Sequence, residues 1–393
     1  MALAQAAQAV PLDVWRAYLT IHLLDEAAVR LPQAFVDARF DYRGRAISGL
    51  QQPVPLAERV IDTISGRSGG EPLGQALGEI YVARSFSPEA KARALAMIDD
   101  IKAALRARID KLDWMSTATK QRAQKKLDAM AVKMGYPDRW KTYEGLQIAP
   151  DDYAGNWLRA ADWQFARDLQ DLRTPVDRTR WNQSPHVVNA WAGGLNEIIF
   201  PAAILQPPFF NARADDAVNY GAIGSVIGHE ITHHFDDRGR QYDDVGNLAD
   251  WWAPEDATVY KARAARIAAQ YSGFMPLADQ PINGQQTLGE NISDVAGIQI
   301  AYDGLQRALA RRAAPARIDG FTPPQRFFMA NARIWRSKMR DESLVNQLRT
   351  GMHSPPRYRV LGPLAHMTAF AEAFNCPADA AMLRPPAERV TIW

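Results

Sequence analysis

The sequence predicts a mainly α-helical protein with one small β hairpin. Two observations predict this class: long segments with apolar residues three and four positions apart, and one stretch of short β-prone runs. The chain has 393 residues, 47 % of them hydrophobic, which is enough to bury a large core. The formal net charge is only +2, so the composition argues against nucleic acid as a partner. The single cysteine, Cys376, excludes an intrachain disulfide.

The first third of the chain carries the clearest helical patterns. In FSPEAKARALAMIDDIKAALRARIDKLDW, Ser87 is a capping residue, Pro88 suits the first helical turn, and apolar residues recur at helical spacing. Residues 14–31 predict an earlier helix. WMSTATKQRAQKKLDAMAVKMGYPD predicts a later one that Gly135 and Pro137 end. We expect these helices to have structural roles.

A change of pattern between residues 180 and 210 predicts the hairpin. HVVNAW and NEIIF are β-prone runs separated by small residues, and PAAILQPPFF predicts an irregular apolar loop. From Tyr220 onward helical patterns return, with breaks expected at 239–246, 279–286 and 355–363.

These patterns divide the chain into two parts. Residues 1–180 are expected to form a mainly helical N-terminal part, and residues 181–393 a core that carries the chemistry. No window is long and apolar enough to predict a membrane span, and the start MALAQAAQAVPLDVW lacks the pattern of a signal peptide.

A histidine motif marks the candidate site. GHEITHHFDD, residues 228–237, contains H-E-x-x-H, in which His229 and His233 lie one helical turn apart and can bind one metal ion. Glu230 lies about 100° around the helix, where it can approach that ion without binding it. The motif is short enough to occur by chance, and a polar helix face is the alternative explanation. A third ligand is needed to decide between a metal site and a polar helix face.

LGENISDVAG, residues 288–297, supplies a candidate third ligand. Glu290 and Asp294 are four positions apart and can point from one face of a second helix. Glu290 would complete a His₂Glu zinc site, a set that leaves a coordination position open and is typical of catalysis. Asp294 would hydrogen-bond the second nitrogen of a ligating histidine. An exposed acidic face is the alternative, but the surrounding apolar residues predict a buried helix whose charges need a partner.

Several further segments resemble one family, the neprilysin-type zinc endopeptidases in their bacterial branch. They are VNAW, NEIIFPAAILQPPFF, NYGAIGSVIGHEITHHFDDRGRQYDDVGNLADWW, LGENISDVAGI, HSPPRYRVLGPL, AFAEAF and the terminal IW, and they stand in the family's order. DWMSTATKQRAQKKL and KMGYPDRW are similar to family segments as well. The resemblance covers nearly the whole chain, and it implies a thermolysin-like zincin (gluzincin) catalytic domain.

The resemblance implies a metal set and a catalytic set. One Zn²⁺ ion per chain would be bound by His229, His233 and Glu290. The catalytic residues would be Glu230 as the base, His353 as the donor to the oxyanion, and Asp294 as the carboxylate behind a zinc histidine. The remaining histidines lack partners at ligand spacing and are expected to be structural or surface residues; they are His22, His186, His234 and His366.

The resemblance also implies the residues that bind substrate. Asn189 and Ala190 would pair with the substrate backbone as in a β sheet, and Arg359 would bind a substrate carbonyl. Without the resemblance, His353 and Arg359 are more typical of surface or packing positions in a loop. The S1′ pocket for a bulky apolar side chain would comprise Ile204, Phe209, Val226, Ile334 and Trp335.

One difference from the family pattern gives further expectations. Most of the family's N-terminal helical capping region is missing from this sequence, so we expect an open cleft that admits larger substrates. A homodimer or a separate lid subunit could cover the apolar surface left exposed. The resemblance implies a periplasmic or extracellular location, and the lack of a visible signal leaves a cytoplasmic one open.

The sequence thus predicts a zinc-dependent endopeptidase. It would hydrolyse oligopeptides on the amino side of bulky hydrophobic residues by Glu-assisted attack of zinc-bound water. The main alternative is a catalytically silent relative that acts as a peptide- or partner-binding module. A zinc exopeptidase with the same motif is a third hypothesis, but no group that would hold a substrate terminus is evident.

Overall fold

The computed structural model describes residues 2–65, 72–311 and 316–393. Their contacts form two compact units, Met1–Gly74 with Lys141–Asp177, and Gln75–Trp140 with Arg178–Trp393. This division differs from the predicted boundary after residue 180, because 75–140 pack with the second half of the chain. The predicted class, mainly helical with a small hairpin, is confirmed.

The first unit is built from helices in its described part. The segment predicted as a helix over residues 14–31 forms α2 and a following 3₁₀ turn, Ala28–Arg30. A π-helical turn, Phe40–Ile47, follows α3. The α-helices are α1 (Ala2–Ala9), α2 (Leu12–Ala27), α3 (Gln33–Arg39), α4 (Leu56–Ser65) and α8 (Tyr153–Asp171).

The second unit contains the sheet and the longest helices. Its first helix, α5, begins at the boundary between the units. A π-helical turn, Tyr220–Gly224, joins α9 to α10, and short 3₁₀ turns occur at Gly239–Gln241 and Pro386–Glu388. The α-helices are α5 (Gly74–Ser85), α6 (Pro88–Lys111), α7 (Thr117–Ala129), α9 (Asp216–Asn219), α10 (Ser225–His233), α11 (Pro254–Ser272), α12 (Leu288–Arg311), α13 (Pro323–Ile334), α14 (Asp341–Thr350), α15 (Tyr358–Leu364) and α16 (Thr368–Ala373).

Helix α6 forms as its sequence pattern predicts. The Ser87 hydroxyl accepts a hydrogen bond from the Ala90 amide at 3.2 Å, which caps the helix, and Pro88 occupies the first turn. Its apolar stripe is buried at Ile98, Ile101, Leu105 and Ile109. This face packs against α12, so α6 supports the helix that carries two of the predicted site residues.

The sheet has three described strands in the order β1 (Ala131–Gly135), β3 (Glu197–Pro201), β2 (Trp191–Gly193). Strands β2 and β3 pair antiparallel and form the predicted hairpin, although only Trp191 of the run HVVNAW lies in a strand. Strand β1 pairs parallel with β3, so the prediction of one helix up to Gly135 was wrong. The helix ends at Ala129 because the next residues find a hydrogen-bonding partner 66 positions further along the chain.

The predicted break at 355–363 was wrong over most of its length. Residues Tyr358–Leu364 form α15, with Pro363 next to its last residue. Pro355 and Pro356 precede the first turn, where a helix needs no backbone donor from them. In the described ranges, no helix has the length and apolarity to cross a membrane.

Candidate metal centre and surrounding cleft

Two helices, α10 and α12, bring the predicted ligands together. They cross where Gly228 faces Gly297: a Cβ atom on Gly228 would lie 2.3 Å from the Gly297 carbonyl oxygen, and one on Gly297 would lie 2.5 Å from the His229 nitrogen. Both positions therefore require glycine. The predicted burial of the second helix is confirmed, since its residues from Leu288 to Ala301 are almost all buried.

The three predicted metal ligands converge. Ligand atoms of His229, His233 and Glu290 all lie within 4.8 Å of one another. Glu290 Oε2 is 3.2 Å from His229 Nε2 and 3.6 Å from His233 Nε2. It is also 3.1 Å from Nε2 of His353, a side chain that is half exposed. This buried carboxylate oxygen thus lies within 3.6 Å of three imidazole nitrogens.

Asp294 and Arg359 support the first histidine. His229 Nδ1 lies 2.8 Å from Asp294 Oδ1, as the sequence predicted for the carboxylate behind a zinc histidine. Arg359 donates to both Asp294 oxygens, each at 2.8 Å, and its guanidinium lies 4.0 Å from the centre of the Trp335 ring. Arg359 therefore has a buried ionic partner in addition to the substrate role predicted for it.

Asp236 supports the second histidine, although it was not among the residues predicted from the sequence. His233 Nδ1 donates to Asp236 Oδ2 at 2.7 Å, with the Ser293 hydroxyl 3.1 Å from the same nitrogen. Asp236 follows His233, the last residue of α10, by three positions. A search for acidic residues one turn beyond each candidate ligand would have identified it.

The charges around the cluster favour protonated histidines as long as no cation is bound. Burial and the neighbouring His233 oppose protonation of His229, but Asp294 and Glu290 outweigh them and raise its pKa. Burial likewise opposes protonation of His233, whereas Asp236 and Glu290 raise its pKa well above the ordinary value. Burial disfavours the charged form of Glu290, yet the histidines hold its pKa far below the usual range. The carboxylates of the cluster thus favour a positive charge at the two histidines.

These observations fit a zinc ion. Two imidazoles and one carboxylate form the ligand set of catalytic zinc sites. Each histidine presents one nitrogen to the common point and the other to a carboxylate, which is the arrangement that orients ligating histidines. The buried Glu290 Oε2 lies 3.2 and 3.6 Å from the two Nε2 atoms, where it could be the third ligand atom.

A cavity of about 630 Å³ opens over this cluster. Glu230, His353 and Arg359 line it together with the zinc-ligand candidates. Among the residues predicted to bind substrate, Ile334 is half buried and is not among the lining residues. The predicted substrate-binding residues that do line the cavity are Asn189, Ala190, Ile204, Phe209, Val226, Trp335 and Arg359.

The remaining histidines lie apart from the three ligand atoms. His234 is buried, and its Nε2 donates to the Glu197 carbonyl oxygen at 3.1 Å. His366 is buried between Gln270 and the Val390 amide. His186 is partly buried and His22 is exposed. Their placement agrees with the expected structural or surface roles.

A helix with H-E-x-x-H beside a second helix that supplies a glutamate defines the class of His₂Glu zinc peptidases. The chain belongs to peptidase family M13: two sequence profiles of that family match residues 1–137 and 189–390.

Individual relatives agree with this membership. Neprilysin-2 of Drosophila melanogaster is 40 % identical over 334 residues, which are 82 % of this chain and 43 % of the relative. An endothelin-converting enzyme homolog of Locusta migratoria is 35 % identical over 96 % of this chain and 52 % of its own length. The chain thus spans about half the length of these relatives.

Solved structures show the same fold. The crystal structure of the Mycobacterium tuberculosis zinc metalloprotease ZMP1 in complex with an inhibitor superposes with a TM-score of 0.91 at 40 % identity, covering 100 % of this chain and 59 % of that one. PepO from Lactobacillus rhamnosis superposes with a TM-score of 0.88 at 33 % identity, covering 99 % and 60 %.

Proposed function

We propose that this chain is a zinc-dependent endopeptidase that cleaves peptides on the amino side of bulky hydrophobic residues. The observation that carries the proposal is the convergence of Glu290 Oε2 with the Nε2 atoms of His229 and His233 beneath an open cavity. Membership of family M13 and similarity to a neprilysin and to a zinc metalloprotease support the same activity.

One zinc ion per chain, held by His229, His233 and Glu290, would polarise the scissile carbonyl and lower the pKa of water to roughly 7. Glu230, which lines the cavity next to the first ligand, is placed to take the proton from the attacking water and to return it to the leaving amine. Asp294 and Asp236 keep the ligand imidazoles in the required orientation.

Two side chains are available for the substrate carbonyls. His353 is 53 % exposed at the cavity and can donate to the oxyanion, a contact typically worth about 10² to 10³ in turnover. The Arg359 guanidinium is fixed by Asp294 and by the Trp335 ring, so its remaining donors have a set direction.

The substrate would bind in an extended conformation beside the hairpin. Strand β2 lies at the edge of the described sheet, and Asn189 and Ala190 directly precede it at the cavity wall. Main-chain pairing at such an edge gives affinity with little sequence preference. Selectivity would come from the apolar wall formed by Ile204, Phe209, Val226 and Trp335, which suits a bulky side chain after the scissile bond.

The test combines metal analysis with peptide hydrolysis on the wild type, Glu230→Gln and a matched control, Glu255→Gln. Glu255 is an exposed glutamate on α11, so the control makes the same chemical change away from the cavity. We expect one zinc per chain in all three proteins and cleavage only by the wild type and the control. Among peptides that differ only after the scissile bond, leucine or phenylalanine should exceed glycine at least tenfold in kcat/KM.

The alternatives give different results in the same assay. Wild type that holds zinc but cleaves nothing would favour a silent peptide-binding module. Cleavage only at a chain end would identify an exopeptidase. A wild type without zinc at neutral pH would contradict the metal assignment itself.

A further inference from the structure

Lys126, on α7, places a charged ammonium group behind the metal-binding helix. The residue is only 1 % exposed. Its Nζ donates to three backbone oxygens, those of His234 at 2.7 Å, Gly239 at 2.7 Å and Tyr242 at 2.6 Å. An ammonium group has three protons, so these bonds use all of its donors.

The three acceptors belong to one segment, residues 234–242, which follows α10 directly. This segment folds back tightly onto the helix end: a Cβ atom on Gly239 would lie 1.8 Å from the His233 carbonyl oxygen. Helix C-termini expose carbonyl oxygens without intrahelical partners and carry partial negative charge. Of the three acceptors, the His234 carbonyl lies at this helix end, and the other two belong to the turn beyond it, so one buried cation joins the turn to the helix end.

The same segment orients a metal ligand. Asp236 Oδ1 accepts from the backbone amides of Arg238 at 2.9 Å and Gly239 at 2.7 Å. Asp236 Oδ2 accepts from His233 Nδ1 at 2.7 Å. The position of the carboxylate is therefore set by backbone groups of the segment that Lys126 binds, although Lys126 has no contact with the proposed ligand atoms.

We propose that Lys126 is a positioning residue of the metal centre, which fixes residues 234–242 so that Asp236 holds His233 in its ligating orientation. This inference rests on the zinc site of the proposed function. It extends the site to a helix, α7, that contributes none of the ligands. The competing explanation is that Lys126 stabilises the fold without any effect on metal binding.

The experiment measures zinc affinity on the whole chain by competition with a chromophoric chelator. It compares the wild type, Lys126→Met and a control, Arg326→Met. Arg326 is a cation of similar burial on α13 that binds the Phe321 carbonyl and Asp215, so its loss also removes a buried positive charge from its acceptors. We expect Lys126→Met to weaken zinc binding about 10- to 100-fold. Arg326→Met should lower the melting temperature and leave zinc affinity within about threefold of the wild type.

A double-mutant cycle tests the proposed route. If Lys126 acts through Asp236, Lys126→Met should weaken zinc binding little further in an Asp236→Asn background. If Lys126→Met does not fold, Lys126→Gln, which keeps two donors and loses the charge, is measured in the same way. Unchanged zinc affinity in the folded variant, or an equal loss in the Asp236→Asn background, would overturn the inference. A wild type that binds no zinc would overturn the proposed function and this inference together.

Discussion

His233 and His234 are neighbours in the chain and have opposite surroundings. His233 faces the cavity side of α10, where Asp236 and Glu290 outweigh the effect of burial and raise its pKa. His234 faces the sheet, where burial and the Lys126 ammonium lower its pKa to about 3. Its Nε2 donates a hydrogen bond to the Glu197 carbonyl oxygen of β3, a neutral backbone group and not a carboxylate. The nature of the partner, more than burial, therefore separates a candidate ligand from a structural histidine.

The same contrast holds for a second pair. His229 has Asp294 and Glu290 beside its two nitrogens. His366 has the Gln270 amide oxygen and the Val390 amide, both neutral groups. Imidazoles that bind metals usually have one nitrogen on the ion and the other on a carboxylate or carbonyl. In this molecule both candidate ligands, His229 and His233, have a carboxylate at Nδ1, and His366 does not.

The largest expected effect is the loss of zinc binding and of activity in His233→Ala. Removal of a zinc ligand should abolish stoichiometric zinc binding at micromolar concentrations and lower kcat/KM by about 10³ or more, because several kcal/mol of transition-state stabilisation depend on the metal. Metal analysis after gel filtration and hydrolysis of a phenylalanine-containing peptide measure both effects. Full zinc content in this variant would remove His233 from the ligand set.

The next effect concerns the carboxylate behind His233. Asp236→Asn keeps the size of the side chain but removes its charge, and it should weaken zinc affinity or activity about 10- to 100-fold. Asp237→Asn is the matched control, because this adjacent carboxylate is partly buried and is not among the carboxylates that hydrogen-bond His229 or His233. Equal losses in the two variants would mean that general charge near the site, and not the bond to Nδ1, is what matters.

Local spacing was sufficient to predict the groups that lie on one helix face. His229 and His233 are four positions apart, and so are Glu290 and Asp294. Helix geometry therefore predicted that the two members of each pair lie on the same face. Asp236 escaped because α10 ends at His233, and the bond depends on how the chain turns after the helix. Spacing marks Asp236 as a candidate one turn after His233, but whether Asp236 or Asp237 reaches Nδ1 is decided by that turn.

Features that depend on distant segments were missed for a related reason. Strand β1 forms because its backbone pairs with β3, and nothing within AVKMG distinguishes it from the end of a helix. The requirement for glycine at 228 and 297 arises only once α10 and α12 cross. The sequence therefore predicted most of the helices well and contacts between distant segments poorly, and the ligand set stays a prediction.

His234→Ala sharpens the comparison with His233→Ala, since the two variants make the same change at adjacent positions. Loss of the buried imidazole and of its bond to the Glu197 carbonyl should lower the free energy of unfolding by about 2–3 kcal/mol. Zinc affinity should stay within about threefold of the wild type. Urea unfolding and chelator competition measure the two quantities, and a large loss of zinc from the folded variant would contradict a purely structural role.

The smallest expected effect is a pH dependence of the free energy of unfolding that His366 causes. Its Nδ1 accepts from the Val390 amide at 2.9 Å, so Nε2 carries the proton and donates to Gln270 Oε1 at 2.7 Å, which requires the neutral ring. Burial, together with the positive charges of Arg384, Arg266 and Arg389, lowers its pKa to about 4.

The unfolded chain protonates His366 near pH 6.5, and the folded chain does so only near pH 4. The contribution to stability is therefore complete above pH 6.5 and is lost as the pH falls towards 4. Between pH 7 and pH 4.5 the stability difference between wild type and His366→Gln should shrink by about 2 kcal/mol, measured by urea unfolding in EDTA so that metal release does not contribute. A constant difference over this range would mean that His366 accepts a proton in the folded chain as readily as in the unfolded one, and that neutral partners do not keep a buried histidine uncharged.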